Sequence, residues 1–388
     1  MQHHRFLAIA FATLALIAVP TAAQFLDVAG NRLVPGIGED DPPGTSLLQY
    51  KLSQRPSGLA AAGDNFYVLV NPNIYQFDRK NGTLLKTISI TGAPSGWFPF
   101  GLGVDTARNG FIIGDAGLYM ILLTDMNGKV LASAAHSSNR HVGAAFDSNR
   151  DGYWATSWNN NLLTLYDAKN LTKQIKTINL GSAGATRAAG TAFSPENDVV
   201  YTSSRNTKRG YAFDAATGNL LYSWPLVHTG TNNGQGAAWW DRWQCAVVGD
   251  YETFNVDFTD SGYPRVGATE TAKIGQALPI KWIATNSANK QFQAAASFTE
   301  RTAGIVFGPR YVPLVVDPLF ILSVTNPAVF SNFAGKLDGN GTGIGAVTIP
   351  NIPLLSGIPF SIAYVTVDGG SPFGIFQISG PWKVTMTK

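Results

Sequence analysis

The apolar positions of this chain fall in short runs, many alternating with polar residues, and Gly, Asn, Asp and Pro interrupt them at close intervals. That is the patterning of strands and turns. A Gly-led apolar segment then recurs as PSGLAAAG, PFGLGVD, HVGAAFD, AAGTAFS and GQGAAWW, with its glycine at Gly58, Gly101, Gly143, Gly190 and Gly236. The intervals are 43, 42, 47 and 46 residues. A second landmark keeps the same beat: an apolar residue or Thr precedes Asp78, Asp125, Asp167, Asp214 and Asp257, and a Gly follows in four of the five. Each repeat reads as four strands. In the third they are Gly143 to Phe146, Tyr153 to Ser157, Leu162 to Tyr166 and Ile175 to Leu180. Four strands per repeat of roughly 40–45 residues is the period of a β-propeller blade. The expected fold class is therefore all-β, a β-propeller of five or six four-stranded blades followed by a C-terminal β-sandwich.

Blade number rests on the ends of the repeat region. Leu47 to Leu52 sits before Gly58 as a fourth strand precedes each later glycine, so it can close the ring against the last blade. If Arg265 to Thr269 already supplies that strand, a sixth, composite blade is needed. Beyond Thr271 the rhythm stops and charge becomes sparse, while Pro350, Pro353 and Pro359 punctuate alternating runs. These read as a second β-unit. The expected division is a signal peptide over 1–23, a propeller over 24–272 and a sandwich over 273–388.

Composition narrows the class. The chain has 388 residues, 45% hydrophobic and only 14% charged, with 22 Phe, 13 Tyr and 9 Trp, which excludes a disordered chain. With 41 Gly and 21 Pro, a helical bundle is excluded too. A formal charge of +3 is too thin and scattered to suggest nucleic acid as a partner. Arg5, the apolar run from Phe6 to Pro20 and the small residues Thr21-Ala22-Ala23 form a secretory signal ending before Gln24. The alternative, an uncleaved anchor, is short for a hydrocarbon core of about 30 Å. No membrane span is expected after signal removal, and the mature chain is expected to be secreted, periplasmic or at the cell surface. Cys245 stands alone and reads as a buried thiol.

The stretch PSGLAAAGDNFYVLV followed by IYQFDRKNGTLL resembles bacterial propeller blades of the NHL, YVTN and streptogramin-lyase-like type, over roughly residues 45–270. The segments VPLVVDPLFILS, FSNFAGKLDGNGTG, IPLLSGIPFSIAYVTVD and IFQISGPWKVTM resemble a C-terminal module of secreted proteins from planctomycetes and related bacteria. The first resemblance implies a propeller that is either a binding scaffold or an enzyme with an axial site. Lactonase-like relatives would hold a metal with Glu, Asn and Asp, and streptogramin-lyase-like ones would use an axial His with acidic partners. No such set can be placed residue by residue here. The second resemblance implies export or surface biology and no chemistry.

Candidate residues follow from type and position. His141 and His228 lie shortly before repeat glycines, where a side chain can face the central channel, and Glu252 or Asp250 is the acidic partner such a base would need. Rim histidines held by hydrogen bonds are the plainer reading. The turn Asp147-x-Asn149-x-Asp151-Gly152 matches the opening half of a calcium loop, but Trp158 stands where a bidentate Glu belongs, so a strand-connecting turn is favoured. No cofactor is expected. Aromatic residues beside amides suit sugar faces or peptide side chains, and Trp97, Trp158, Asn160 and Trp240 are the candidate ligand contacts. The favoured function is an exported, non-catalytic propeller binding a glycan, peptide or cell-envelope partner through its loop face. The alternative is an axial-site lyase or lactone hydrolase.

Overall fold

The computed structural model describes residues 26–27, 46–78, 82–136, 139–226, 236–240, 245–249, 255–259 and 262–388. The fold is all-β, a propeller followed by a sandwich. Four blades are antiparallel sheets of sequence-consecutive strands: blade one from Gly58–Ala62 to Leu84–Ser89, blade two from Pro99–Asp105 to Val130–Ala135, blade three from His141–Asp147 to Asn170–Asn179, and blade four from Ala188–Ser194 to Leu220–Pro225. Blade five takes Gly236–Trp240, Cys245–Gly249 and Asn255–Thr259 from the end of the repeats. Its outer strand is Ser46–Lys51, paired antiparallel to Asn255–Thr259. The inner strands of the five blades touch in a closed ring, the fifth against the first. The blade number is five.

The glycines of the first three repeats have a steric cause. A Cβ on Gly101 would come within 2.8 Å of the backbone of Gly143, and one on Gly143 would lie 2.3 Å from the hydroxyl of Thr191. Inner strands of neighbouring blades approach backbone to backbone there, and only a residue without a side chain permits it. The second landmark is a turn device. The carboxylates of Asp125, Asp167 and Asp214 accept bonds from backbone amides two to four residues on, those of Asn127, Lys169 and Thr217 among them. Such side-chain-to-backbone bonds fix the turn to the outer strand.

Because the N-terminal strand completes blade five, the chain leaves the propeller after that blade's third strand. Arg265–Gly267 is therefore not a blade strand. It pairs with Ala277–Ile283 in a sandwich sheet that continues through Thr342–Thr348 to Phe330–Ser331. Thr271–Lys273 joins the second sheet, parallel to Trp382–Thr387. Arg265–Gly267 and Thr271–Lys273 thus pair with sandwich strands. The second sheet continues through Pro359–Val367 and Gln291–Ser297 to Ala334–Lys336. Between the sheets, Trp282 is fully buried and packs on Phe292, Phe333 and Tyr364. The sole α-helix among the described residues, Pro318–Thr325, starts on Asp317, whose carboxylate accepts from the Phe320 amide at 2.9 Å. No helix among the described residues is long and apolar enough to cross a membrane.

The sandwich is docked on one end of the propeller. The side-chain amide of Asn197, in the first turn of blade four, donates to the Ile378 carbonyl at 2.8 Å and accepts from the Ile378 amide at 2.9 Å. The Tyr311 amide reaches the Glu196 carbonyl, and Asn149 of blade three donates to the Pro309 carbonyl at 3.3 Å. The opposite end, where each inner strand begins, is left to the loops.

Candidate functional site

The start of each inner strand and the turn between the second and third strands of each blade share the open end. In blades two, three and four the register of the inner strand slips by a bulge near this end, at Pro99/Gly101, His141/Gly143 and Ala188/Thr191. Bulges bend a strand and redirect its side chains. A cleft of about 420 Å³ opens here, lined by Phe98, Phe100, Ala116, Gly117, Arg140, Val142, Trp158 and Arg205. Its volume suits one or two sugar units or a comparable ligand.

Aromatic and cationic groups are interleaved around it. Phe98 is 46% exposed and lies 5.7 Å from the Phe100 ring. The guanidinium of Arg205 sits 5.3 Å from the Trp158 centroid and that of Arg187 5.9 Å from it, while Arg140 lies over Tyr119. Stacking on aromatic faces holds guanidinium planes in place while leaving their N–H edges free to donate. The loops are tied from below. Buried Asp115 accepts from the Leu118 amide at 2.5 Å and from the Phe98 amide, which locks the aromatic loop of blade two against its neighbouring turn. The Arg187 amide donates to Asn161 at 2.7 Å, tying the entry to blade four to the Trp158 turn.

The sequence-derived candidates separate on this frame. Trp158 lines the cleft, and Asn160 stands exposed in the same turn, its amide donating to Asn139 at 2.9 Å. Trp97 is half-buried against the packing between blades one and two, so its neighbour Phe98 is the aromatic presented to solvent. The side chain of Trp240 lies outside the described residues, as do His228, Asp250, Glu252, the Cys245 thiol and the signal segment.

His141 is fully buried between blades two and three, its ring edge-on to His136 at 4.9 Å and to Tyr166 at 5.6 Å. Neither ring nitrogen has a hydrogen-bond partner. Burial, reinforced by His136, pushes its pKa down to about 3, so the imidazole is neutral and a feeble base near pH 7. No described carboxylate faces it. Burial lowers His136 as well.

Asp147, Asn149 and Asp151 point three ways. Asp147 accepts from the Asn149 and Arg150 amides at 3.0 Å, from the Arg150 guanidinium at 3.0 Å and from the Trp154 indole at 2.9 Å. Asn149 donates to the Pro195 carbonyl at 2.9 Å, and Asp151 meets Arg108 of blade two at 2.5 Å. The carboxylates of Asp147 and Asp151 are engaged on the turn and on a neighbouring blade, and Asn149 turns its amide nitrogen, a donor, outward from them. Among the described residues no three His, Cys, Asp or Glu are gathered as a metal site.

The ring axis is narrow and bland. A space of about 70 Å³ there is lined by Leu, Ala, Gly, Val, Phe and Thr residues of blades one to four, including Ala60, Gly103, Ala145 and Thr191. No titratable side chain is among them.

Arg140, Arg187 and Arg205 were not singled out from the sequence. A signal for two of them was present. Arg55, Arg140 and Arg187 each stand three residues before a repeat glycine, at the offset that Phe98 holds in blade two.

No family model matches the chain, and no curated protein matches it in sequence. Among solved structures it is similar to Kuenenia stuttgartiensis hydrazine synthase, at 9% identity and a TM-score of 0.36, over 65% of this chain and 66% of that one.

Proposed function

We propose that this chain is an exported, non-catalytic propeller of the NHL, YVTN and streptogramin-lyase-like kind, which binds its ligand at the open end of the ring. The observation that carries the reading is the cleft between blades two, three and four, where Phe98 and Trp158 stand beside stacked guanidinium groups. Flat apolar surface with a few directed donors is how ligand sites gain both affinity and orientation. Two further features support it. Among the described residues the ring axis is lined by Leu, Ala, Gly, Val, Phe and Thr, which leaves the open-end cleft as the site that the described polar and aromatic side chains build. The sandwich occupies the other end, which suits an accessory unit that holds the propeller with its cleft outward.

The test is binding of the mature chain to an immobilised set of glycans and peptides, beside the variants Phe98→Ala and Trp158→Ala. Loss of the bound signal in both variants, with melting unchanged, is the expected result. A ligand retained by both would move the site elsewhere.

A further inference from the structure

We propose that the ligand of the open-end cleft is an acidic polysaccharide, one whose sugar rings carry carboxylate or sulfate groups. This rests on the binding reading above and names its chemical class. The argument starts from how charge is divided between the two ends of the ring. In blades one to four, the described loops of the open end carry Arg55, Arg140, Arg187, Arg205 and Lys208. The acids of the same blades, from Asp64 to Asp214, lie in the turns and strand ends of the opposite face, with one exception. That exception is Asp115, fully buried, with its oxygens turned to the amides of Phe98 and Leu118. Arg140 in the cleft lining, and Arg187 over the Trp158 ring beside it, thus present cations with no facing carboxylate among the described residues.

The net charge of +3 does not produce this; placement does. Arg140 and Arg187 are exposed, and neither forms an ion pair with a described acid; each is stacked on an aromatic ring instead. A guanidinium held in that way meets a carboxylate or sulfate through paired N–H donors at little cost in side-chain freedom. Because Arg140 and Arg187 hold the same offset before the glycines of successive blades, the two cations follow the curve of the open end and suit a repeating anion.

A sugar fits the remaining surface better than a peptide or a nucleic acid. Phe98 and Phe100 present apolar ring surface for the C–H face of a pyranose. The rim is rich in amides, with Asn159, Asn160 and Asn161 beside Trp158, and amides both donate to and accept from hydroxyl groups. The Trp158 ring already carries two guanidinium groups, so it is poorly placed to stack a nucleobase. A peptide backbone would have to pair with the inner strands that carry Phe100 and Val142, and those strands pack against the inner strands of adjoining blades.

The experiment is titration calorimetry of the mature chain with polygalacturonate, neutral dextran, poly-L-glutamate and single-stranded DNA, at two salt concentrations. Arg140→Gln, Arg187→Gln and Trp158→Ala are measured beside it, each checked for unchanged melting. The expected result is binding to polygalacturonate alone, weakened roughly tenfold by each arginine variant and further by salt. Dextran bound as well as polygalacturonate, with the arginine variants unchanged and Trp158→Ala defective, would overturn the acidic class and leave the binding role standing. Equal affinity for poly-L-glutamate or DNA would overturn the sugar assignment. Binding insensitive to all three variants, or none to any probe, would overturn the cleft reading itself.

Discussion

The two ends of the propeller are made from the same repeat, yet they use it differently. At the end facing the sandwich, Asp105 and Asp147 terminate successive inner strands, and each pairs with an arginine three residues on, Arg108 or Arg150. Each arginine also reaches one blade further, Arg108 to Asp151 and Arg150 to Asp198, both at 2.5 Å. Charge there is spent on holding blades together. At the open end Arg140, Arg187 and Arg205 lie over aromatic rings, and the one acid described there in blades one to four, Asp115, is consumed by backbone amides. Paired charge marks the structural end, and the guanidinium groups of Arg140 and Arg187, held on aromatic rings with no described acid beside them, mark the end available to a ligand.

The sharpest way to break that contrast is to remove a paired arginine. In Arg150→Ala, Asp147 and Asp198 remain buried without their cation. Breaking one side of a buried pair costs about 3–5 kcal/mol, so urea denaturation should show the largest loss of stability of any variant named here, while ligand affinity of the folded fraction stays unchanged. A loss below about 1 kcal/mol would mean that the network is ornamental.

Next in size is a pH effect at the open end. His141 holds its proton less readily folded than unfolded, because burial lowers its pKa from 6.5 to about 3. The unfolded chain therefore binds the extra proton first, and its contribution to stability is complete above pH 6.5 and shrinks as pH falls toward 3. At about 1.4 kcal/mol per pH unit, lowering the pH from 6.5 to 5 should cost roughly 2 kcal/mol. His136 adds to the loss in the same direction. His141→Phe should flatten that slope; an unchanged slope would assign acid sensitivity to other groups.

How much of this was legible in the sequence differs between the same two ends. The beat of Gly58, Gly101 and Gly143 announced the blades because the close approach of inner strands excludes any side chain there. Blade number was legible only as five or six: the place of Leu47 to Leu52 before Gly58 marked a strand that could close the ring, but whether Arg265 to Thr269 was a blade strand turned on its pairing with Ala277–Ile283, which no repeat landmark encodes. The turn Asp147-x-Asn149-x-Asp151 read as half a calcium loop, because spacing shows which oxygens are near in sequence and not where they point. Trp158 could be singled out by type and turn position. Its arginine partners could not, since Arg205 comes from the next blade and meets the indole only when the ring is closed.

Overpacking the ring tests the steric cause of the beat. Gly143→Ala places a methyl against the Thr191 hydroxyl and the Ala189 carbonyl. A crowded core position of this kind loses about 1–3 kcal/mol, which denaturation should detect, whereas alanine at Gly184, which meets no neighbour, tests only backbone strain at its φ of 82°. Equal losses at both sites would show that conformation rather than close approach selects these glycines.

The smallest expected effect is the most telling for the open end. Arg187 is exposed, pairs with no described acid and touches the fold mainly through the Trp158 ring, so Arg187→Gln should change stability by no more than about 0.5 kcal/mol. A cation kept on an aromatic ring without contributing stability is retained for what it meets in solution. If denaturation instead shows Arg187→Gln to be as costly as Arg150→Ala, the open-end arginines are structural as well, and the distinction between the two ends collapses.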